Sequence, residues 1–302
     1  MIDIERHINL FQTAAEKQAA IESESLNYPN LSYVEETGSV DLAETAPPVD
    51  YSKKYFTIVS LADENDITIV TDNVNVNAII ISASTDNGET WTEYSLGSGS
   101  EAIIGQLNNG DKLIVKGRNS GYLNRHFMSS KSFKLQGNIM SLISGDSFTS
   151  ATSIYGSAFK NLFLNSTNLI SAENLVLPAT TMTNQCYYHM FEGCTNLTTA
   201  PALPATTLAD SCYGSMFYKC TNLTTAPELP AATLAGYCYW GMFYNCTSLN
   251  YIKMLATNVS ATACLDNWAN NVAASGTFVK KSGVTIPSGN NGIPNNWTVI
   301  EV

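Results

Sequence analysis

The chain has 302 residues, of which 44% are hydrophobic and 14% charged, and it carries a net charge of −11. It is long enough for two modest cores and too apolar for a disordered tail, and with so few charges its solubility rests on Ser, Thr, Asn and Tyr. Residues 1–66 hold 13 acids against 4 Lys/Arg, and residues 138–268 hold 6 acids against 3 Lys; no basic cluster exists to displace counterions from phosphates, which excludes nucleic acid as a partner.

Residues 1–24 predict a helix. Ile4, Ile8, Phe11 and Ala15 fall at 4-3-4 spacing on one face, with Asp3, Glu5, Arg6, Glu16 and Lys17 around the rest. A helix of about 20 residues with so thin an apolar stripe is marginal alone. It needs a partner: copies of itself, a groove on another protein, or its own β domain. The segment has no basic n-region and no unbroken apolar run, so neither a secretory signal nor a membrane span is expected.

Residues 25–54 predict an extended tether. Within it, LSYVEETGSVDLA reads as two short alternating runs around a Thr-Gly turn. Pro47 and Pro48 then form a stiff boundary, because proline propagates neither helix nor central strand.

Residues 55–137 predict an all-β, sandwich-like domain. Strand-like runs at 55–61, 66–70, 77–84, 90–96, 101–107, 111–117 and 131–137 are separated by turn clusters such as TDNGE and NNGD. No Cys occurs there, so the Cys-Trp-Cys pattern of antibody domains is missing.

From residue 182 the chain repeats every 26 residues: MTNQCYYHMFEGCTNLTTAPALPAT, LADSCYGSMFYKCTNLTTAPELPAA and LAGYCYWGMFYNCTSLNYIKMLATN. A degenerate copy, with Ser166 in a Cys place, precedes them. Such self-similarity predicts a solenoid over 138–268. Leu208, Cys212, Tyr213, Met216, Phe217 and Cys220 fall at spacings of 4, 1, 3, 1 and 3, which fits one face of a helix. The TTAP segment, closed by Pro230, reads as a short strand. Each repeat is therefore expected to be one helix and one strand, the strands aligning into a parallel ladder. Residues 269–302 form a C-terminal cap.

The repeated CTNLTTAPELPATTLADxCYxxMF pattern resembles the BspA-like leucine-rich-repeat surface proteins of Bacteroides-type bacteria, over roughly residues 138–302. The closing GTFVKKSGVTIPSGNNGIPNNWTVIEV is similar to the segment that caps the last coil in such proteins. The chain is therefore expected to be multidomain: an N-terminal helix, a β-sandwich-like domain and, as the resemblance implies, an α/β leucine-rich-repeat solenoid. The front portion is similar to fibre proteins of crAss-like phages infecting those bacteria. It implies a virion fibre or decoration subunit, assembled in the host cytoplasm and displayed on the virion surface. Ile4, Ile8, Phe11 and Ala15 would attach it to capsid or other virion proteins. They would also hold a homo-oligomer, a trimer favoured over a dimer. The alternative is a bacterial cell-surface adhesin.

No chemistry-bearing constellation competes with a binding role. The seven Cys fall in two repeat registers, Cys186, Cys212, Cys238, Cys264 and Cys194, Cys220, Cys246. Two in one repeat lie about 12 Å apart on a helix, beyond disulfide reach, and no spacing suggests zinc. Buried thiols packing as small apolar groups are expected. His7, His126 and His189 have no nucleophile or carboxylate pair beside them in sequence. No catalytic residue, metal or cofactor is expected. The Asn-x-Ser/Thr sequons at Asn165, Asn196, Asn222, Asn245, Asn258 and Asn296 arise largely from the repeat itself.

Positions that vary while the core stays constant are the candidate contact residues. Tyr188, Gly214 and Trp240 share one register; Glu192, Tyr218 and Tyr244 share another. Tyr188, Tyr218, Trp240 and Tyr244 could stack on host-surface or mucosal sugars or anchor a protein partner. The competing reading is that they merely cover the edges of the repeat.

Overall fold

A computed structural model describes residues 31–34, 39–42, 49–72 and 77–302. The chain divides into two compact units, Met1–Asp50 and Tyr51–Val302. In the first, β1 (Leu31–Val34) pairs antiparallel with β2 (Ser39–Leu42), Leu31 opposite Leu42. The expected helix with Ile4, Ile8, Phe11 and Ala15 lies outside the described residues.

In the second unit, β3 (Phe56–Ser60), β4 (Asn65–Thr71), β5 (Ile79–Ser84), β6 (Thr92–Leu96), β7 (Glu101–Leu107), β8 (Lys112–Gly117), β9 (Arg125–Ser129) and β10 (Phe133–Asn138) come first. Next comes α1 (Ser141–Ser144), four residues long, and then β11 (Leu169–Val176). One sheet has the order β11-β10-β3-β8-β5-β6 and a second has β7-β4-β9. Alternation sets which face is buried: along β4, Asn65, Ile67, Ile69 and Thr71 point inward. Every residue of β3 is buried. The Ser141 hydroxyl ties α1 to the sheet, accepting from the Phe56 amide at 2.9 Å and donating to the Val115 carbonyl at 2.9 Å.

β10 joins the two halves of this unit. It pairs antiparallel with β3 on one side and parallel with β11 on the other. The sheet thus runs directly into the repeats, and one hydrophobic core spans both.

The repeats fold differently from the expected helix-and-strand coils. Among the described residues α1 is the only α-helix, the fold is mostly β, and no helix-rich solenoid forms. The anticipated α/β leucine-rich-repeat architecture is therefore corrected. The segment 183–194 is a run of tight turns. Cys186, Tyr188, Met190, Glu192 and Cys194 each donate an amide hydrogen bond three residues back, to Thr183, Gln185, Tyr187, His189 and Phe191. The residues between them donate to the next coil instead: Gln185 to Asp210, Tyr187 to Cys212, His189 to Gly214, Phe191 to Met216 and Gly193 to Tyr218. Gln185, His189 and Gly193 have φ of 55°, 55° and 73°, and their counterparts Ser211, Ser215 and Lys219 have 55°, 50° and 61°. A left-handed residue at every fourth position is incompatible with an α-helix.

The difference from a helix has a physical cause. Four residues of helix advance about 40° beyond a full turn, so over two such steps a true period of four still resembles a helical stripe. The residues at the left-handed positions carry the discriminating signal. Asn161, Asn165, Gly193, Gly241, Asn245, Asn267 and Asn271 all have positive φ, and Asn and Gly tolerate that region best. Where Lys, Tyr or His occupies it, the local cost is of order 1–2 kcal/mol per residue. Hydrogen bonds to the neighbouring coil and packing beneath the turns offset it.

The strand side is also less regular than a continuous ladder. Only single parallel bridges form at Ser171–Thr199, Thr181–Thr207, Thr225–Tyr251, Leu229–Met254 and Thr233–Asn258. Pro201, Pro204, Pro227 and Pro230 remove donors from the middle coils, and proline cannot sustain a central ladder. Continuous pairing returns where the prolines stop: β12 (Tyr251–Met254), β13 (Thr277–Lys280) and β14 (Thr298–Glu301) pair in parallel.

Candidate functional site

The inner side of the turns fixes what the outer side presents. With a period of four, two residues of each turn point in and two point out. The inward pairs build two aromatic columns. Phe159, Tyr187, Tyr213 and Tyr239 stack at centroid spacings of 5.8, 5.8 and 6.2 Å. Phe163, Phe191, Phe217 and Phe243 stack at 5.4, 5.5 and 5.7 Å, with planes within 7° of parallel. Trp268 closes both columns at one end, 6.3 Å from Tyr239 and 6.0 Å from Phe243. At the other end Tyr122 and Phe127 of the sheet region continue them, 6.4 Å from Phe159 and 5.9 Å from Phe163.

The cysteines belong to the same buried core, as packing and not as chemistry. Cys194, Cys220 and Cys246 donate their thiols to the carbonyls of Phe163, Phe191 and Phe217 on the preceding coil, at 3.1, 3.1 and 2.9 Å. Ser166 fills the same place in the degenerate copy, donating to Phe127. All seven Cys are free and buried. Burial pushes Cys186 up to about 11 and Cys238 up to about 12, so these thiols stay protonated and unreactive at neutral pH. Among the described residues no cluster of His, Cys, Asp and Glu could hold a metal ion.

The outward pairs carry the predicted contact residues, all four on the turn face of successive coils. Trp240 is 37% exposed. Tyr218 and Tyr244 are half-buried and stack on each other at 5.1 Å and 12°. That pairing covers one face of each ring. Tyr188 lies across Gly214, where a Cβ would come within 2.7 Å of its ring and would force the ring to shift. Lys160 sits over the Tyr188 ring at 5.0 Å and Lys219 over the Tyr218 ring at 5.2 Å. His189 meets Tyr188 edge-on at 3.9 Å and contacts the Glu192 carboxylate through Nδ1. Burial first, then the Lys160 charge, push His189 down to about 4. The ring is thus neutral at pH 7, and Nδ1–H donates to Glu192.

Two further aromatics escaped the sequence reading. Tyr237 is 45% exposed on the same coil as Trp240 and Tyr244, and Tyr155 is 62% exposed. Tyr237 occupies a register filled by Gln185 and Ser211 in earlier copies, so its departure from those polar residues was the available signal. Tyr237, Trp240 and Tyr244 make the fourth coil the most aromatic part of this face. Comparison with protein-family models, curated proteins and solved structures finds no match. No helix of the described residues is long and apolar enough to cross a membrane.

Proposed function

We propose that this protein is a non-enzymatic surface binder whose coil stack displays Tyr188, Tyr218, Trp240 and Tyr244, joined by Tyr237, to glycans or proteins on a cell or mucosal surface. The observation that carries the reading is Trp240, a large aromatic left 37% exposed on the same coil as exposed Tyr237 and half-buried Tyr244. A fixed aromatic face offers stacking area with little side-chain entropy left to lose. Its setting on a virion, as a fibre or decoration subunit attached through Ile4, Ile8, Phe11 and Ala15, rests on the sequence resemblance. In that setting many copies on one particle would raise avidity by roughly 10²–10⁴ over a weak single contact.

The test is a glycan array probed with the labelled full chain and with the Tyr218→Ala/Trp240→Ala/Tyr244→Ala variant, both checked for fold. The reading predicts a defined set of bound glycans whose signal drops at least tenfold in the triple variant. An unchanged pattern, or no glycan bound by the parent chain, contradicts the glycan reading. Mass spectrometry of purified phage particles tests the setting: the chain's peptides are expected among the virion proteins.

A further inference from the structure

A cavity of about 520 Å³ opens where β5, the segment after β8 and the first coil meet, lined among others by Asn77, Arg118, Asn119, Ser120, Arg125 and Ser157. A hollow of about 400 Å³ shares Arg118, Asn119 and Ser120 with it. Among the described residues, the two arginines are the only charged ones lining either space, in a chain of net charge −11.

Arg125 is only 3% exposed. Its Nη1 donates to the Leu123 carbonyl at 3.2 Å and its Nη2 to the Asn77 carbonyl, while its buried Nε has no acceptor among the described residues. No carboxylate among the described residues pairs with Arg125 or with exposed Arg118. The nearby Asp146 accepts from both Lys116 and Tyr55 at 2.8 Å and feels Arg118 only through its field. Asp72, beside the partner of Arg125 in β4, faces His126 at 3.9 Å. The amides of Ser120 and Gly121 likewise donate to no protein acceptor among the described residues. A guanidinium buried without a counter-ion is a costly arrangement that folded proteins normally resolve by pairing.

We propose that this cavity is an oxyanion site, taking the carboxylate or sulfate of an acidic saccharide as the missing counter-ion. Arg118 presents the accessible planar fork that suits two-oxygen recognition of such groups. Arg125 supplies a fixed positive field from behind, and Ser120, Ser157 and the free amides supply the neutral polar contacts a sugar ring needs. The volume falls within the range of small-ligand pockets, roughly 300–1,000 Å³. The site shares no residue with the aromatic face, so the two readings stand or fall separately.

Isothermal titration calorimetry on the full chain decides the matter, with glucuronate, inorganic sulfate and glucose as separate titrants at constant ionic strength. Saturable binding of glucuronate, of sulfate or of both is expected, the stronger arm assigning the site to uronic acids or to sulfated sugars, and glucose should give none. Arg118→Gln, at an exposed position, should weaken binding at least tenfold without changing the thermal midpoint; Ser120→Asp should abolish it. Absence of heat with both anions, glucose binding equal to glucuronate, or unchanged affinity in the Arg118 variant would overturn the assignment.

Discussion

Tyr187 and Tyr213 place hydroxyls inside the aromatic column with no partner among the described residues, and their rings are 0% and 1% exposed. A buried hydroxyl without a hydrogen bond costs about 1–3 kcal/mol. Tyr213→Phe is therefore expected to leave stability unchanged or raise it by about 1 kcal/mol in urea denaturation, whereas Tyr213→Ala should cost about 3–5 kcal/mol by opening a cavity. The thiols give a pH dependence of definite sign. Cys186 and Cys238 are raised from 9.0 to about 11 and about 12 in the folded chain. For a group whose folded value is raised, the stabilising contribution is complete below the unfolded value and disappears as pH climbs through the folded one. The denaturation midpoint should hold steady between pH 7 and pH 9 and fall between pH 9 and 12. Cys186→Ala/Cys238→Ala should reduce that fall, which equilibrium unfolding at stepped pH will measure.

The turn segments are the element at which sequence and structure part. Most strands between residues 55 and 137 were legible from turn residues and, where one face is buried as in β4 and β8, from a period of two. β9 was not: Arg125–Ser129 follows the glycine- and asparagine-containing RNSGYLN, which reads as loop, and its inward residues include Arg125. The repeat length and the inward residues were equally plain. The backbone beneath them was not, because apolar pairs every four residues over so short a span satisfy a helix and a chain of turns alike. Lys219 separates the two. It is exposed and has φ of 61°. In a helix Lys219→Gly would lose about 1 kcal/mol; at a left-handed position relief of backbone strain opposes the entropy cost, and the variant should be neutral or more stable by up to about 1 kcal/mol. Thermal denaturation of the single variant reads the sign.

At the scale of the molecule, the sheet region serves as the end cap of the coil stack. Repeats contact only their neighbours, so a terminal coil needs its open face covered. Here Tyr122, Phe127 and Phe133 donate backbone hydrogen bonds to Ala158, Leu162 and Asn168 of the first coil. Phe127 is fully buried and contacts Phe56, Tyr122 and Phe163. Because one core runs through both regions, Phe127→Ala should cost about 3–5 kcal/mol. It should lower a single calorimetric transition for Tyr51–Val302 and not split it in two. None of this continuity was legible in the sequence, where the end of β10 reads as a domain boundary; parallel pairing between strands 31 residues or more apart leaves no local mark.

The coils are built from turns, not helices. Backbone NMR chemical shifts through residues 185–193, 211–219 and 237–245 test it most directly. Interruption at every fourth residue, with left-handed signatures at Gln185, His189, Gly193 and their counterparts, is the expected result. Unbroken helical shifts across any of these three segments would contradict it.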